Sequence, residues 1–212
     1  MWSIGAMEMT ETTELSNETE RSGCLLIVGG SDSGKSAVAE RFATEEAAQA
    51  NCPAIYLATM RSDSAAAADK IRKHRSLRAG KGFVTIEQPM TESSVSWLSG
   101  RPVVLLEDLG NLVANELFAT DMPSPQASSR QWQKHLEEAA DRITAYCLNL
   151  AGQSRLIIVS NDVFRDGACF DTGTEGYKQV LAQIHIRLAK TAEVIEVTAG
   201  RVDHISAKAR KC

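Results

Sequence analysis

The sequence contains no apolar run near the length a membrane-spanning helix needs, about 20 residues. It has no surplus of positive charge. Its 23 Lys and Arg face 27 Asp and Glu, a formal net charge of −4, which argues against a general nucleic-acid binder. It has no cysteine pairing pattern: Cys24, Cys52, Cys147, Cys169 and Cys212 are odd in number, scattered, and include no C-x-x-C pair. Neither a disulfide framework nor a zinc site is therefore expected, and a reducing cytoplasm fits. The basic start and apolar stretch of a secretory signal are lacking, as are any repeat of about 20–50 residues and any linker inside 24–205. What is there is 212 residues, 43% hydrophobic and 24% charged, which suits one globular domain with a substantial core.

Residues 1–22 read as a disordered acidic extension, with Glu8, Glu11, Glu14, Glu18 and Glu20 set among Thr, Ser and Asn. Residues 208–212 read as a short basic tail, which leaves a single domain over 23–207. From Cys24 onward, strand and helix signals alternate. Apolar runs at 24–28, 54–58, 103–108, 155–159 and 193–197 read as core strands, 83–87 as a short strand and 202–205 as an edge strand. Helices are expected at 35–49, 62–79, 93–98, 109–118, 132–151 and 177–189, with loops at 121–129 and 165–176. The alternation predicts an α/β fold, a mostly parallel sheet with helices on both faces. Such sheets bind ligands at the carboxyl ends of their strands, where Thr59, Glu107-Asp108 and Asn161-Asp162 fall.

The most informative stretch follows the first apolar run: Gly29-Gly30-Ser31-Asp32-Ser33-Gly34-Lys35-Ser36. It is a G-x-x-x-x-G-K-S pattern at a strand-to-helix junction, a P-loop in its proper context. The glycines let backbone N–H groups wrap a phosphate chain, and the helix that starts there points its positive end at the same anion. Lys35 would reach the β- and γ-phosphates and the Ser36 hydroxyl would take a place on Mg²⁺.

Other residues carry chemistry by position. Glu107 ends an apolar strand, where an acid would hold Mg²⁺ opposite Ser36. Asp108 has two readings, a second acid or simply the cap of the helix beginning at Leu109. His74 lies among Arg72, Lys73, Arg75 and Arg78. Like charges disfavour its protonated form, so it reads either as a neutral nucleophile or as an ordinary surface histidine. Asn161-Asp162 reads as a substrate-reading pair or as turn chemistry. His135, beside Gln131 and Glu138, is expected on a solvated face, and His185 partly buried and hydrogen-bonded. Cys24, Cys147, Trp132 and Tyr146 are expected in the core.

Several blocks, in order, resemble the bifunctional cobinamide kinase/cobinamide-phosphate guanylyltransferases of cobalamin biosynthesis. They are Gly29–Ser36, Tyr56-Leu57-Ala58-Thr59, Ile71-Arg72-Lys73-His74-Arg75, the run from Leu105 to Phe118, Val159-Ser160-Asn161-Asp162-Val163-Phe164, and Gln183-Ile184-His185-Ile186-Arg187-Leu188-Ala189. Together they span about 24–200. The resemblance implies a P-loop NTPase-type domain that phosphorylates adenosylcobinamide with a nucleoside triphosphate, ATP or GTP. It further implies guanylylation of a histidine by GTP, with loss of pyrophosphate, and transfer of GMP to adenosylcobinamide phosphate. His74 takes the place of that histidine. Gly29, Gly30, Ser31, Asp32, Ser33, Gly34, Lys35, Ser36, Thr59, Arg75, Glu87 and Glu107 take nucleotide-binding places, with Ser36 and Glu107 on Mg²⁺. A symmetric homotrimer in the cytoplasm is implied as well. The chain departs from the family pattern at Asp32, where Arg is usual, at Lys70 for Arg, at Phe83 for Trp and at Asp162 for Glu, and Ala65–Ala68 replaces an acidic pair. Two other readings stay open at this level, a kinase-only member of the family and a P-loop switch or assembly protein without this chemistry.

Overall fold

The computed structural model describes residues 23–61, 69, 72, 76, 80–91, 95, 98–119, 128–165 and 168–205. The expected tails at 1–22 and 208–212, His74 and Arg75, Lys70, and the loop at 121–127 lie outside these residues. Seven strands form one sheet: β1 (Cys24–Gly29), β2 (Ala54–Ala58), β3 (Phe83–Glu87), β4 (Val103–Glu107), β5 (Arg155–Asn161), β6 (Glu193–Thr198) and β7 (Arg201–His204). Their spatial order is β3-β2-β4-β5-β1-β6-β7. All neighbours pair in parallel except β6 and β7, which form an antiparallel hairpin at one edge. Four helices with described bounds accompany the sheet: α1 (Lys35–Gln49), α2 (Leu109–Leu117), α3 (Ser129–Gln153) and α4 (Thr172–Leu188). Asp69, Arg72 and Ser76, the described residues of the helix expected at 62–79, are helical as well.

The central strands are apolar at nearly every position because both faces of the sheet are covered. Successive side chains enter opposite cores. Leu25 and Ile27 of β1 join Val38, Ala39 and Ala43 of α1 on one face. Cys24 and Leu26 join Leu112, Ile143 and Ile184, from α2, α3 and α4, on the other. Cys24, Cys147, Trp132 and Tyr146 are core residues, as expected. The sheet is thus clamped between layers, and its carboxyl edge, carrying Gly29, Ala58, Glu107 and Asn161, faces one cleft.

Three sequence expectations are corrected. The loop expected over 165–176 ends early, because α4 begins at Thr172. Asp171 caps it, its Oδ1 accepting from Gly173 N at 2.9 Å and Thr174 N at 3.1 Å. Gly176, one of the glycines that suggested a loop, serves packing instead: a Cβ there would stand 2.7 Å from the Trp132 ring. His135 is buried, not solvated. Its Nε2 lies 3.2 Å from the Leu117 carbonyl oxygen at the end of α2, and its ring packs on Trp132. Val95 and Leu98, the described residues of the expected helix at 93–98, lie outside any helix. Smaller adjustments extend α3 to Ser129 and Gln153 and move the edge strand to Arg201–His204.

Candidate nucleotide site

The P-loop is shaped by close approach. A Cβ on Gly29 would fall 2.5 Å from the Val197 carbonyl oxygen and 2.6 Å from Ser33 Oγ, so only glycine fits between β6 and the returning loop. Gly34 adopts φ 89°, a left-handed conformation that suits glycine, and α1 begins at the next residue. Asp32 also has positive φ, at 55°. Among residues with side chains, Asp and Asn enter that region most readily, so the backbone accommodates an aspartate at this position. The turn of the β6–β7 hairpin leans on the loop, with Gly200 N donating to Ser33 O at 2.7 Å. Sequence reasoning missed this support, because nothing local to 198–201 points at residue 33.

Lys35 is only 8% exposed, and its ammonium donates to Gly30 O at 3.1 Å, which keeps the cation inside the loop. Ser36 Oγ donates to Glu107 Oε1 at 2.5 Å, joining the start of α1 to the end of β4 across 71 residues of sequence. The other carboxylate oxygen, Glu107 Oε2, is buried with no hydrogen-bond partner among the described residues. Burial is the main cause that pushes the Glu107 carboxyl up to about 7. The neighbouring charges of Asp108 and Glu40 add to the rise, and the Ser36 hydroxyl and Lys35 oppose it. A buried carboxylate next to a serine hydroxyl, with one oxygen unpaired, is a fitting place for a small hard cation. Mg²⁺ takes oxygen ligands, typically one or two from protein with phosphates and water filling the rest.

Asp108 follows Glu107 through a cis peptide bond and caps α2, its Oδ1 accepting from Asn111 N at 2.6 Å. Its Oδ2 accepts from Asn161 Nδ2 at 3.2 Å, and its carbonyl accepts from Thr59 Oγ1 at 2.8 Å. Thr59 is 1% exposed. Its own N–H donates to Glu107 O at 3.1 Å, and its carbonyl accepts from Asn115 Nδ2 at 2.8 Å. Thr59 therefore sits behind the acidic pair and fixes its backbone. The loop residues Ser31 to Ser36 line a cleft of about 620 Å³ together with Glu87, Glu107, Asp108, Asn111 and Asn161. Glu87 reaches it as the last residue of β3, registered beside Ala58. Gly29 and Gly30 lead into the loop from β1.

A family profile described as cobinamide kinase / cobinamide phosphate guanyltransferase matches residues 25–205. The chain belongs to the cobinamide kinase / cobinamide phosphate guanyltransferase family. That span holds all of the sheet but its first residue, Cys24, and every residue of the cleft. A search of curated proteins returned no match. Among solved structures the chain is similar to the flagellar accessory protein FlaH from Methanocaldococcus jannaschii, at 14% identity, covering 87% of this chain and 76% of that one, TM-score 0.45. It is also similar to the DnaC helicase loader, at 16% identity over 86% of this chain and 82% of that one, TM-score 0.40.

Of the family blocks read from the sequence, the fold brings the P-loop, Thr59, the Glu107–Asp108 pair and Asn161 together at one edge of the sheet. Asp162 is turned to structural use: it accepts from Phe164 N at 3.2 Å and pairs with Arg165 at 2.5 Å. His185 is half-buried, with Nε2 2.7 Å from Ser160 Oγ and its ring edge-on to Phe164. Burial lowers its pKa to about 4, against a smaller opposing pull from Asp162. It therefore stays neutral and supports the loop that leaves β5. Among the described residues, no helix is long and apolar enough to cross a membrane.

Proposed function

We propose that this chain carries out both reactions of its family. It phosphorylates the free hydroxyl of adenosylcobinamide with ATP or GTP, and it transfers GMP from GTP to the resulting phosphate through guanylyl-His74. The observation that carries the reading is the joining of Lys35, Ser36 and Glu107 in one cleft, within a chain matched to the family from residue 25 to residue 205.

The Gly29–Ser36 loop would cradle the triphosphate with backbone N–H groups, and Lys35 would leave Gly30 O for a phosphate oxygen. Ser36 and Glu107 would hold Mg²⁺, which neutralises charge on the phosphates. Ionised Glu107 is costly in its buried setting unless a cation compensates, so the site favours cation and nucleotide arriving together. Thr59 positions the Glu107–Asp108 backbone, and Arg75 and Glu87 are assigned to nucleotide contacts on the strength of the resemblance. In the second reaction an imidazole nitrogen of His74 attacks the α-phosphorus of GTP, a P–N bond forms, the α–β anhydride breaks and pyrophosphate leaves. The phosphate of adenosylcobinamide phosphate then displaces His74 and takes the GMP. The resemblance carries two further expectations, a homotrimer and a cytoplasmic location. Sedimentation of the pure protein checks the first.

The test uses GTP labelled at the α-phosphate, with Mg²⁺. Wild type is expected to retain acid-labile, alkali-stable label, and His74→Ala to retain none. Equal labelling of the two would sink the nucleophile assignment. The departures at Lys70 and residues 65–68, close in sequence to His74, favour one second reading, a member that kept only the kinase step. It predicts phosphorylated cobinamide with no covalent label on wild type.

A further inference from the structure

Capping α2 requires one oxygen of Asp108, yet the whole residue is fixed from three directions. Asn111 N holds Oδ1 at 2.6 Å from within α2. Asn161 Nδ2, at the end of β5, holds Oδ2 at 3.2 Å. Thr59, just past β2, holds the main-chain carbonyl at 2.8 Å. Behind the carboxylate the packing is tight. A Cβ on Gly110 would fall 2.6 Å from the Tyr177 hydroxyl and 3.3 Å from Asp108 Oδ1, so residue 110 must be glycine for Tyr177 to stand there. Asp108 and Asn161 line the same cleft as Lys35 and Ser36, and Asn161 is also the register partner of Gly29 at the start of the P-loop. Asn161 thus bridges the phosphate-binding strand and the acidic strand.

The two acids divide by environment. Glu107 is engaged with Ser36 on the cation side. Asp108 lines the cleft, its carboxylate held by donors that each bring a partial positive charge to it. Phosphoryl transfer to an alcohol needs an acceptor that orients the attacking hydroxyl and takes its proton. We propose that Asp108 is that group for the kinase step, and that Asn161 is its positioning residue. The inference rests on the kinase reading above. The acceptor hydroxyl donates to Asp108 Oδ2, sharing it with Asn161, whose bond is the longer of the two. As the hydroxyl oxygen forms its bond to the γ-phosphorus, the bond from that phosphorus to the bridging oxygen breaks. The nucleoside diphosphate leaves with that electron pair, and the hydroxyl proton passes to the Asp108 carboxylate. The ligand class assigned to this wall of the cleft is therefore a primary or secondary alcohol, not a phosphate.

Asp108→Asn separates the two roles of the residue, because Asn caps helices about as well as Asp but cannot take the proton. The measurements are steady-state phosphorylation of adenosylcobinamide by ATP, equilibrium binding of a non-hydrolysable ATP analogue with Mg²⁺, and thermal unfolding. For Asp108→Asn the kinase kcat is expected to fall by about 10²-fold or more, with analogue Kd within about threefold of wild type and Tm lowered only modestly, as the Asn161 amide turns over to accept from the new NH₂. Asn161→Ala is expected to lower kcat less, and the double variant to be no slower than Asp108→Asn alone, since Asn161 acts through Asp108. A kcat for Asp108→Asn within about fivefold of wild type overturns the assignment and leaves a cap. Analogue binding weakened in step with kcat also overturns it, because Asp108 would then serve the nucleotide. A wild-type protein that phosphorylates no cobinamide overturns the kinase reading, and this assignment with it.

Discussion

Glu107 offers a test of the site that needs no substrate. Its carboxyl is raised from 4.5 to about 7, chiefly by burial. A folded-state pKa above the unfolded one means that the folded state holds the proton more tightly. This contribution to stability is complete below about pH 4.5 and is lost as pH rises through 7. A shift of that size corresponds to about 3 kcal/mol, a large fraction of the stability of an ordinary domain. In Glu107→Gln the titration is gone. The amide oxygen still accepts from Ser36, while its NH₂ takes the unpaired position of Oε2 and costs about 1–3 kcal/mol at every pH. The signature is therefore a slope, not an offset. In urea denaturation with EDTA at fixed protein concentration, wild type should lose about 3 kcal/mol relative to Glu107→Gln between pH 4.5 and pH 8. Mg²⁺ with a nucleotide triphosphate should restore wild type and not the variant, and the variant should lack kinase activity. Parallel pH profiles for the two proteins in EDTA would refute the burial argument.

Three further outcomes follow from the packing. His185 is lowered to about 4, so the stability it supports is present above its unfolded pKa near 6.5 and is lost as pH falls through 4. His185→Gln should flatten that acid limb by up to about 3 kcal/mol in urea titrations. Gly29→Ala places a Cβ against the Val197 carbonyl and Ser33 Oγ; it should cost about 1–3 kcal/mol and lose nucleotide binding measured by calorimetry. Gly176→Ala presses on the Trp132 ring away from the cleft; it should cost a similar 1–3 kcal/mol, shift tryptophan fluorescence and leave the nucleotide Kd within about twofold, since distant sites act independently.

The amino-acid sequence by itself determined the parts whose signals are local. The apolar runs of the central strands, the Gly29–Ser36 loop with its following helix, and the acid at the end of β4 are each legible within a dozen residues. So is the alternation that makes the sheet parallel, because a strand buried on both faces must be apolar throughout. The ordered blocks from 24 to 200 were enough to indicate the family that the profile match bears out. Tertiary structure decided what depends on distant neighbours. It brought Ser36 within 2.5 Å of Glu107 and placed Asn161 on Asp108, pairings that no spacing encodes. It set the Gly200 turn under the P-loop and buried His135 between α2 and Trp132. It also turned the glycines at 173 and 176 from an apparent loop into the packed first turns of α4. A glycine reads the same in sequence whether it frees the backbone or makes room for a ring, and an acid reads the same whether it caps a helix or faces a substrate. Only the atoms packed against each one distinguish the two.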